Sequence, residues 1–223
     1  MPNAVEPPVE SPRDLASAYD LLSDGDGGAW RPIAGGTDLM VQITGELGDP
    51  PDRVIDIWAL DELRGISLVG EALVLGSATG TRTIPAAEFW TGYRQTARRD
   101  DELLLRVRIP FVPERIVRFR KVGTRRAQAI SKVVMALAWR GDPGEPWSDV
   151  RLALGSVAPT TIRATKTEAV LERALPTRET ADLAAGVLAD ELAPIDDVRS
   201  TADYRRAVAA RVLHRLIRDE GSW

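Results

Sequence analysis

The chain contains no cysteine and a single histidine, His214. Without thiolates it cannot ligate an iron–sulfur cluster through sulfur, form a disulfide or use a thiol nucleophile. One histidine also leaves little room for a histidine-rich metal site or a Ser-His-Asp triad. Most hydrolase chemistry is set aside on these grounds.

Long apolar runs and a strong excess of one charge are also missing. No stretch approaches the roughly 20 apolar residues that span a bilayer, and Met1–Ser11 lacks the basic-then-apolar pattern of a signal peptide. The 29 basic and 33 acidic side chains leave a net charge of −4, which gives no global attraction to nucleic acid or anionic membrane. We therefore expect a cytoplasmic protein that binds neither.

The 223 residues, 44% of them hydrophobic, are enough for one large core or two modest ones. The pattern predicts an α+β fold with two domains. Residues 1–110 form a small α/β domain, and residues 111–223 form a three-stranded antiparallel sheet followed by three helices.

In the N-terminal domain, Ser11 reads as the N-cap of a helix over Pro12–Ser23. A strand, a glycine turn and a second helix follow, because apolar spacing resumes after Asp38 and continues to Leu47. The strands predicted for this domain are Trp30–Ile33, Val54–Ile57, Ile66–Val69, Ala72–Gly76 and Leu103–Ile109.

In the C-terminal domain, three consecutive strands predict a meander: Ile116–Lys121, Lys132–Arg140 and Val150–Val157. Thr165 and Glu168 have the spacing of a capping box. Two longer helices follow over Thr180–Leu192 and Thr201–Asp219. Their predicted buried faces carry Leu183, Val187 and Leu188, and Tyr204, Val208, Val212 and Leu216, respectively.

The glycine loop between Ile33 and Leu39 is the strongest local candidate for a binding site. Two glycines let a ligand approach the backbone, and the start of the next helix adds unsatisfied N–H donors and a positive dipole end. Such a loop can hold a phosphate or pyrophosphate without a basic side chain. The alternative is that Gly35-Gly36 is only a turn. The loop has neither the Gly-Lys-Ser/Thr of nucleotide triphosphatases nor three spaced glycines.

The sequence Ile33-Ala34-Gly35-Gly36-Thr37-Asp38-Leu39 resembles the first FAD-binding motif of the flavin subunit of the xanthine dehydrogenase and carbon monoxide dehydrogenase family. Further blocks are similar to this family in the same order along the chain. They are Phe89–Thr96, Asp101–Pro110, Arg120–Val133, Leu154–Thr160 with Arg163-Ala164, and Tyr204-Arg205.

The resemblance implies an FAD-binding electron-transfer subunit of a molybdopterin-dependent dehydrogenase. Molybdopterin would lie on a large partner subunit and [2Fe-2S] clusters on a small one, and NAD or another acceptor would take the electrons. Residues 33–39 would hold the FAD pyrophosphate, Leu104 would lie near the flavin, and Lys121 would stabilise its reduced form. The alternative for Lys121 is a solvated charge at a strand end. The basic run Arg118–Arg126 is likewise expected to be a solvated strand edge rather than an RNA-binding patch.

The chain departs from the family at one place. Relatives have a second FAD motif, Thr-Ile-Gly-Gly-Asn, before the segment that resembles Gly80–Pro85, whereas here Ala78-Thr79 runs directly into Gly80. The loss of such a segment predicts weaker FAD binding and uncovered apolar surface. Two hypotheses therefore stay open: a working flavin subunit, and a non-catalytic remnant that acts as a structural or interaction protein without FAD.

Overall fold

The computed structural model describes residues 7–24, 29–36, 39, 50–76, 82–93, 95–125, 129–198 and 200–223. The chain divides into two compact units. The first unit comprises Met1–Pro85 and Ala97–Phe111, and the second comprises Ala86–Thr96 and Val112–Trp223. The segment 86–96, which the sequence pattern assigns to the N-terminal domain, thus groups with the second unit.

A parallel three-stranded sheet opens the first unit. Its strands are β1 (Val9–Glu10), β2 (Trp30–Ile33) and β3 (Arg53–Asp56), in the order β1-β3-β2. Helix α1 (Leu15–Ser23) lies between β1 and β2 in the chain. It contributes to a small apolar cluster whose buried members are Ala18, Leu22, Ile55 and Leu60.

Helix α1 begins later than expected, because Asp14 rather than Ser11 is its N-cap. The Asp14 carboxylate accepts a hydrogen bond from the backbone N–H of Ser17 at 2.8 Å. This bond also lowers the pKa of Asp14. Pro12 therefore precedes the helix instead of opening it. Of the helix predicted from Asp38 to Leu47, only Leu39 is among the described residues, and it is helical.

A second, antiparallel sheet completes the first unit. It consists of β4 (Ile66–Val69), β5 (Ala72–Leu75) and β8 (Val107–Pro110), in the order β4-β5-β8. The β4–β5 hairpin turns at Gly70, as the sequence predicts. Strand β8 is shorter than predicted because β5 ends at Leu75, the partner of Val107, and the chain bends away at Gly76 with φ +86°. Residues 103–106 therefore lack a strand partner.

One face of this second sheet is apolar and exposed. The register aligns Ile66, Leu75 and Val107 across the three strands, and likewise Leu68, Leu73 and Ile109. Directly paired residues point to the same face, so these six side chains form one surface, which we call the open apolar face. Ile66 is 75% exposed and Leu68 74%. Val107 and Ile109 on the same face are also exposed, at 42% and 46%.

A four-stranded antiparallel sheet forms the base of the second unit. Its strands, in the order β12-β11-β10-β9, are β9 (Ile116–Gly123), β10 (Ser131–Arg140), β11 (Ser148–Gly155) and β12 (Ile162–Arg163). The expected three-stranded meander is present, and the short β12 extends it. The buried face of β10 alternates strictly as Val133, Met135, Leu137 and Trp139.

Four helices and a small hairpin complete the second unit. They are helix α2 (Ala86–Phe89), the small hairpin β6 (Trp90–Gly92) and β7 (Gln95–Thr96), and helix α3 (Thr165–Leu171), together with the two long helices α4 (Arg178–Glu191) and α5 (Ala202–Gly221). Helices α4 and α5 pack with the sheet around the main core, whose ring pair Trp139–Trp147 is stacked at 4.3 Å. Among the described residues, no helix is both long and apolar enough to cross a membrane.

The predicted capping box of α3 is wrong. Glu168 is buried, accepts a hydrogen bond from the backbone N–H of Leu152 at 2.7 Å and forms an ion pair with Arg163. The first turn of α3 is capped instead by Glu191, which accepts bonds from the backbone N–H groups of Lys166 and Thr167. A distant carboxylate on α4 thus replaces the local one.

The buried faces of α4 and α5 are shifted from the predicted ones. Leu183 is 59% exposed, and α4 buries Ala181, Ala184 and Leu188. In α5 the buried residues are Arg205, Ala209, Leu213, Leu216 and Ile217, while Tyr204 is exposed. Arg205 turns inward because its guanidinium pairs with Asp197 and donates to the carbonyls of Ser156 and Lys132.

Candidate functional site

The glycine loop lies at the carboxyl edge of the parallel sheet in the first unit. Strand β2 ends at Ile33, which is aligned with Asp56 at the end of β3. The Ile33 carbonyl accepts a hydrogen bond from the backbone N–H of Ile57 at 2.8 Å. Because both strands run in the same direction, the residues that follow them emerge at one edge, where ligands of parallel sheets commonly bind.

The backbone of this loop is accessible. Ala34 and Gly35 are exposed, and a Cβ added at Gly35 would meet no atom within 4 Å. Gly36 has φ +69°, a conformation that favours glycine. Leu39 is half-buried. Thr37 and Asp38, which complete the predicted site, lie outside the described residues.

Asp56 and Trp58 share this edge and were not singled out from the sequence. The Asp56 carboxylate accepts a hydrogen bond from the backbone N–H of Trp58 at 2.8 Å, so it fixes the turn that follows β3. Trp58 is 62% exposed, and the Arg64 guanidinium lies 5.8 Å from the centre of its ring. The sequence does contain a pattern that could have pointed to them, namely a carboxylate at the end of a strand followed by an aromatic residue.

Leu104 belongs to the same unit as the glycine loop. Leu103 packs against the apolar cluster around Leu22 and Ile55, while Leu104 is 57% exposed. The structure thus presents Leu104 outward, as a residue that contacts a ligand requires.

The segment before Leu104 is fixed by charge. Glu102 accepts two hydrogen bonds from the Arg82 guanidinium, at 2.7 and 2.5 Å, and one from the backbone N–H of Arg99. Bonds to the charged carboxylate favour its ionised form. They lower the pKa of Glu102 to about 2, with Arg82 as the largest cause.

Lys121 lies in β9 of the second unit, opposite Val134 of β10, and its side chain is exposed. It is on the face of the sheet turned away from α4 and α5, together with Val117 and Phe119, which are 55% and 57% exposed. The exposure of Lys121 is compatible with a solvated charge and with contact to a ligand. The arginine at position 118 points to the other face and pairs with Glu220.

The described residues hold no cluster of three or more histidine or acidic side chains that could bind a metal ion. Of the predicted site residues that the structure describes, the glycine backbone, Leu104 and Lys121 are all accessible.

Two family descriptions match the chain. Residues 4–80 match the FAD binding domain in molybdopterin dehydrogenase. Residues 118–219 match the CO dehydrogenase flavoprotein C-terminal domain. The first range contains the glycine loop and the second contains Lys121.

Characterised relatives agree with these matches. The chain is 31% identical to the carbon monoxide dehydrogenase medium chain of Hydrogenophaga pseudoflava over 160 residues. This alignment covers 68% of this chain but only 53% of the relative. It is 25% identical to the xanthine dehydrogenase FAD-binding subunit of Escherichia coli O157:H7 over 260 residues, which cover 86% of this chain and 88% of the relative.

The alignment with the xanthine dehydrogenase subunit spans 260 positions, which is more than the number of residues that this chain contributes to it. Since 86% of 223 residues is about 192, the relative has roughly 70 residues with no counterpart in this chain within the 260 aligned positions.

Solved structures show the same fold. Carbon monoxide dehydrogenase from Hydrogenophaga pseudoflava superposes with a TM-score of 0.82 at 24% identity, over 95% of this chain and 96% of that one. Quinoline 2-oxidoreductase from Pseudomonas putida 86 superposes with a TM-score of 0.85 at 20% identity, over 98% of each chain. From the two matched domains in their shared order, the characterised relatives and this fold, the chain belongs to the family of FAD-binding medium subunits of carbon monoxide and xanthine dehydrogenases.

Proposed function

We propose that the chain binds FAD and relays electrons as the flavin subunit of a molybdopterin-dependent dehydrogenase. The observation that carries this proposal is the loop after β2, where the position that a Cβ would occupy at Gly35 is open and Gly36 has φ +69°. Phosphate oxygens can approach the backbone N–H groups of such a loop without meeting a side chain.

The residues of the loop fit a pyrophosphate. The backbone N–H groups of residues 33–39 would hold it. Ile33, Ala34, Gly35, Gly36 and Leu39 are among the described residues, and Thr37 and Asp38 lie outside them. Such backbone donors can hold the pyrophosphate without a basic side chain.

Two other residues would serve the isoalloxazine ring. Leu104 is apolar and exposed, so it can cover a ring face and exclude water. Lys121 is exposed and cationic, so it would favour a negatively charged ring. When bound, FAD supplies redox chemistry that accepts and releases electrons singly or in pairs.

The partners are proposed from the family to which the chain belongs. They would be a small subunit with [2Fe-2S] clusters as the electron donor and a large subunit with molybdopterin as the site of substrate oxidation. The lack of cysteine is compatible with this division, because the chain cannot hold an iron–sulfur cluster through thiolates. NAD or another soluble acceptor would receive the electrons.

A second candidate function is a structural or interaction protein that no longer holds FAD. It is favoured by the segment of roughly 70 residues present in the xanthine dehydrogenase relative and by the open apolar face of the β4-β5-β8 sheet. We infer that the segment is missing between Thr79 and Gly80, a junction outside the described residues, and that it included the second FAD motif. Its loss would weaken FAD binding in either case.

The two functions are separated by the absorption spectrum of the purified protein. A flavin spectrum, present on isolation or restored by added FAD, supports the electron-transfer subunit. A colourless protein that co-purifies with molybdenum and iron–sulfur subunits, and that FAD does not restore, supports the non-catalytic one.

The glycine loop is tested by Gly35→Val, with Gly186→Val as the matched control. Both glycines have open space at the Cβ position, so both variants should fold. We expect Gly35→Val to weaken FAD binding by about a hundredfold or more, because the side chain fills the approach to the backbone. Gly186→Val on α4 should leave affinity unchanged. Equal affinity in both variants would remove the loop from the FAD site.

A further inference from the structure

Residues 97–102 of the first unit form a turn that is closed from within. The Arg98 guanidinium donates to the carbonyls of Arg99 and Glu102, each at 2.7 Å, and to that of Asp100 at 3.3 Å. The backbone N–H of Arg99 donates to the Glu102 carboxylate at 2.7 Å. A segment without a strand partner thus obtains its hydrogen bonds locally.

Arg82 ties this turn to a different part of the chain. Its Nε and Nη2 donate to the two oxygens of Glu102 at 2.7 and 2.5 Å, and Nη2 also donates to the carbonyl of Ala97 at 2.7 Å. One guanidinium therefore holds the first and the last residue of the turn. Two parallel bonds between a guanidinium and a carboxylate fix geometry better than a single ion pair.

The contact between Arg82 and Glu102 lies two residues before Leu104 in the chain. Leu103 follows Glu102 directly and packs into the apolar cluster, and Leu104 then projects outward, 57% exposed. Because Leu104 is more than half exposed, its direction depends largely on the backbone beside it. On the N-terminal side that backbone is held by the turn, which Arg82 joins at Ala97 and Glu102.

We propose that Arg82 is a positioning residue, which orders the turn 97–102 through Glu102 and Ala97 and so holds Leu104 in the direction needed to cover the flavin. The flavin part of this proposal rests on the proposed function, whereas the ordering of the turn does not. The low pKa of Glu102, about 2, keeps the pair charged throughout the neutral and mildly acid range.

An ordinary surface ion pair is the alternative, and such pairs contribute little to stability. Arg64 offers the matched control within the same unit. It pairs with Asp61 at 3.7 Å and donates to the carbonyl of Trp58, so it also joins a carboxylate and a carbonyl. Unlike Arg82, it makes no two-pronged contact with a carboxylate.

The test compares Arg82→Gln, Arg82→Lys and Arg64→Gln with the unchanged protein. Hydrogen exchange is measured over residues 97–104, and the dissociation constant for FAD is measured by flavin fluorescence. We expect Arg82→Gln to speed exchange in this segment by about tenfold and to weaken FAD binding by about three- to tenfold. Arg82→Lys should be intermediate, since lysine keeps the charge but cannot form the paired bonds. Arg64→Gln should match the unchanged protein in hydrogen exchange over residues 97–104. Because Arg64 contacts Trp58 at the edge of the candidate site, it is a control for the turn and not for FAD affinity.

Unchanged exchange in Arg82→Gln would overturn the proposal, as would equal exchange rates over residues 97–104 in Arg82→Gln and Arg64→Gln. Faster exchange with undiminished FAD affinity would overturn the positioning of Leu104. If the unchanged protein binds no FAD, the proposed function itself fails, and the flavin part of this inference fails with it. That outcome is recognised without any variant.

Discussion

The two units of the chain bury apolar surface to very different extents. Among the described residues, the second unit has a core of 19 buried side chains that runs from β10 and β11 to α4 and α5. The cluster beneath α1 in the first unit has four buried members. Its antiparallel sheet buries Ala72 and Val74 on one side and leaves six apolar side chains on the other.

The difference is in line with the proposed loss of a segment from the first unit. Soluble proteins seldom leave a contiguous apolar sheet face exposed without a partner for it. The second unit has its cover, because helices lie on the sheet face that carries the large side chains. The first unit lacks such cover on the β4-β5-β8 sheet, beside the junction where we infer the missing segment. The comparison supports the inference that the segment missing from this chain belonged to its FAD-binding part.

The largest expected effect breaks the core of the second unit. Leu213 is fully buried and Leu68 is 74% exposed. We expect Leu213→Ala to lower the free energy of unfolding by about 2–5 kcal/mol, because it leaves a cavity. Leu68→Ala should change it by less than about 0.5 kcal/mol. Urea unfolding followed by tryptophan fluorescence measures both. Similar losses would show that the open apolar face is covered in solution.

The next effect concerns the open apolar face itself. Replacing Ile66 and Leu68 with lysine should reduce the fluorescence of a bound apolar dye such as ANS by about threefold and raise solubility, because the charges interrupt the patch. Leu183→Lys on α4 is the control, since Leu183 is also exposed but does not belong to that face. Unchanged dye binding in the double variant, or an equal drop in the control, would contradict an exposed face in the first unit.

A smaller effect tests whether the second unit contributes to the flavin site. Removing the positive charge in Lys121→Met should lower the flavin reduction potential by on the order of 30 mV, because the reduced, negatively charged ring loses a stabilising cation. Lys132→Met is the control from the neighbouring strand. If spectroelectrochemical titration finds the same potential in both variants, the side chain of Lys121 is a solvated charge.

The smallest effect is the acid sensitivity of one carboxylate in each unit. Arg82 lowers the pKa of Glu102 to about 2. The pKa of Asp149 is also below its ordinary value, mainly because of the hydrogen bond from Arg115. A lowered pKa gives stability that is full above the unfolded value and is lost as the pH falls through the folded one. The stability difference between the unchanged protein and Glu102→Gln or Asp149→Asn should therefore shrink between pH 5 and pH 2. If urea unfolding gives the same stability difference at every pH in this range, these ion pairs do not contribute to the acid sensitivity.

Local patterns predicted the strands well. The β4–β5 hairpin follows from apolar residues on both sides of Gly70-Glu71, and the long strands of the second unit follow from their alternation. The position of the glycine loop could be predicted because the sequence pattern shows a strand, a glycine pair and a predicted helix start in succession. Whether other atoms cover the loop cannot be predicted from its sequence, because this depends on the fold of the surrounding chain.

The errors arose where distant partners override local preference. Glu168 has the spacing of a capping residue, but its carboxylate is drawn to Arg163 and the Leu152 N–H, while Glu191 supplies the cap from another helix. Leu183 fits an apolar stripe, yet the small side chains of Ala181 and Ala184 allow closer packing and take the buried face. Sequence spacing carries no information about such contacts.

The central claim is that the first unit holds FAD through its glycine loop. Titration of the flavin-free protein with FAD, followed by the quenching of flavin fluorescence, tests it directly. We predict saturable binding of one FAD per chain that is lost in Gly35→Val and retained in Gly186→Val. The absence of saturable binding to the folded, unchanged protein would contradict the claim.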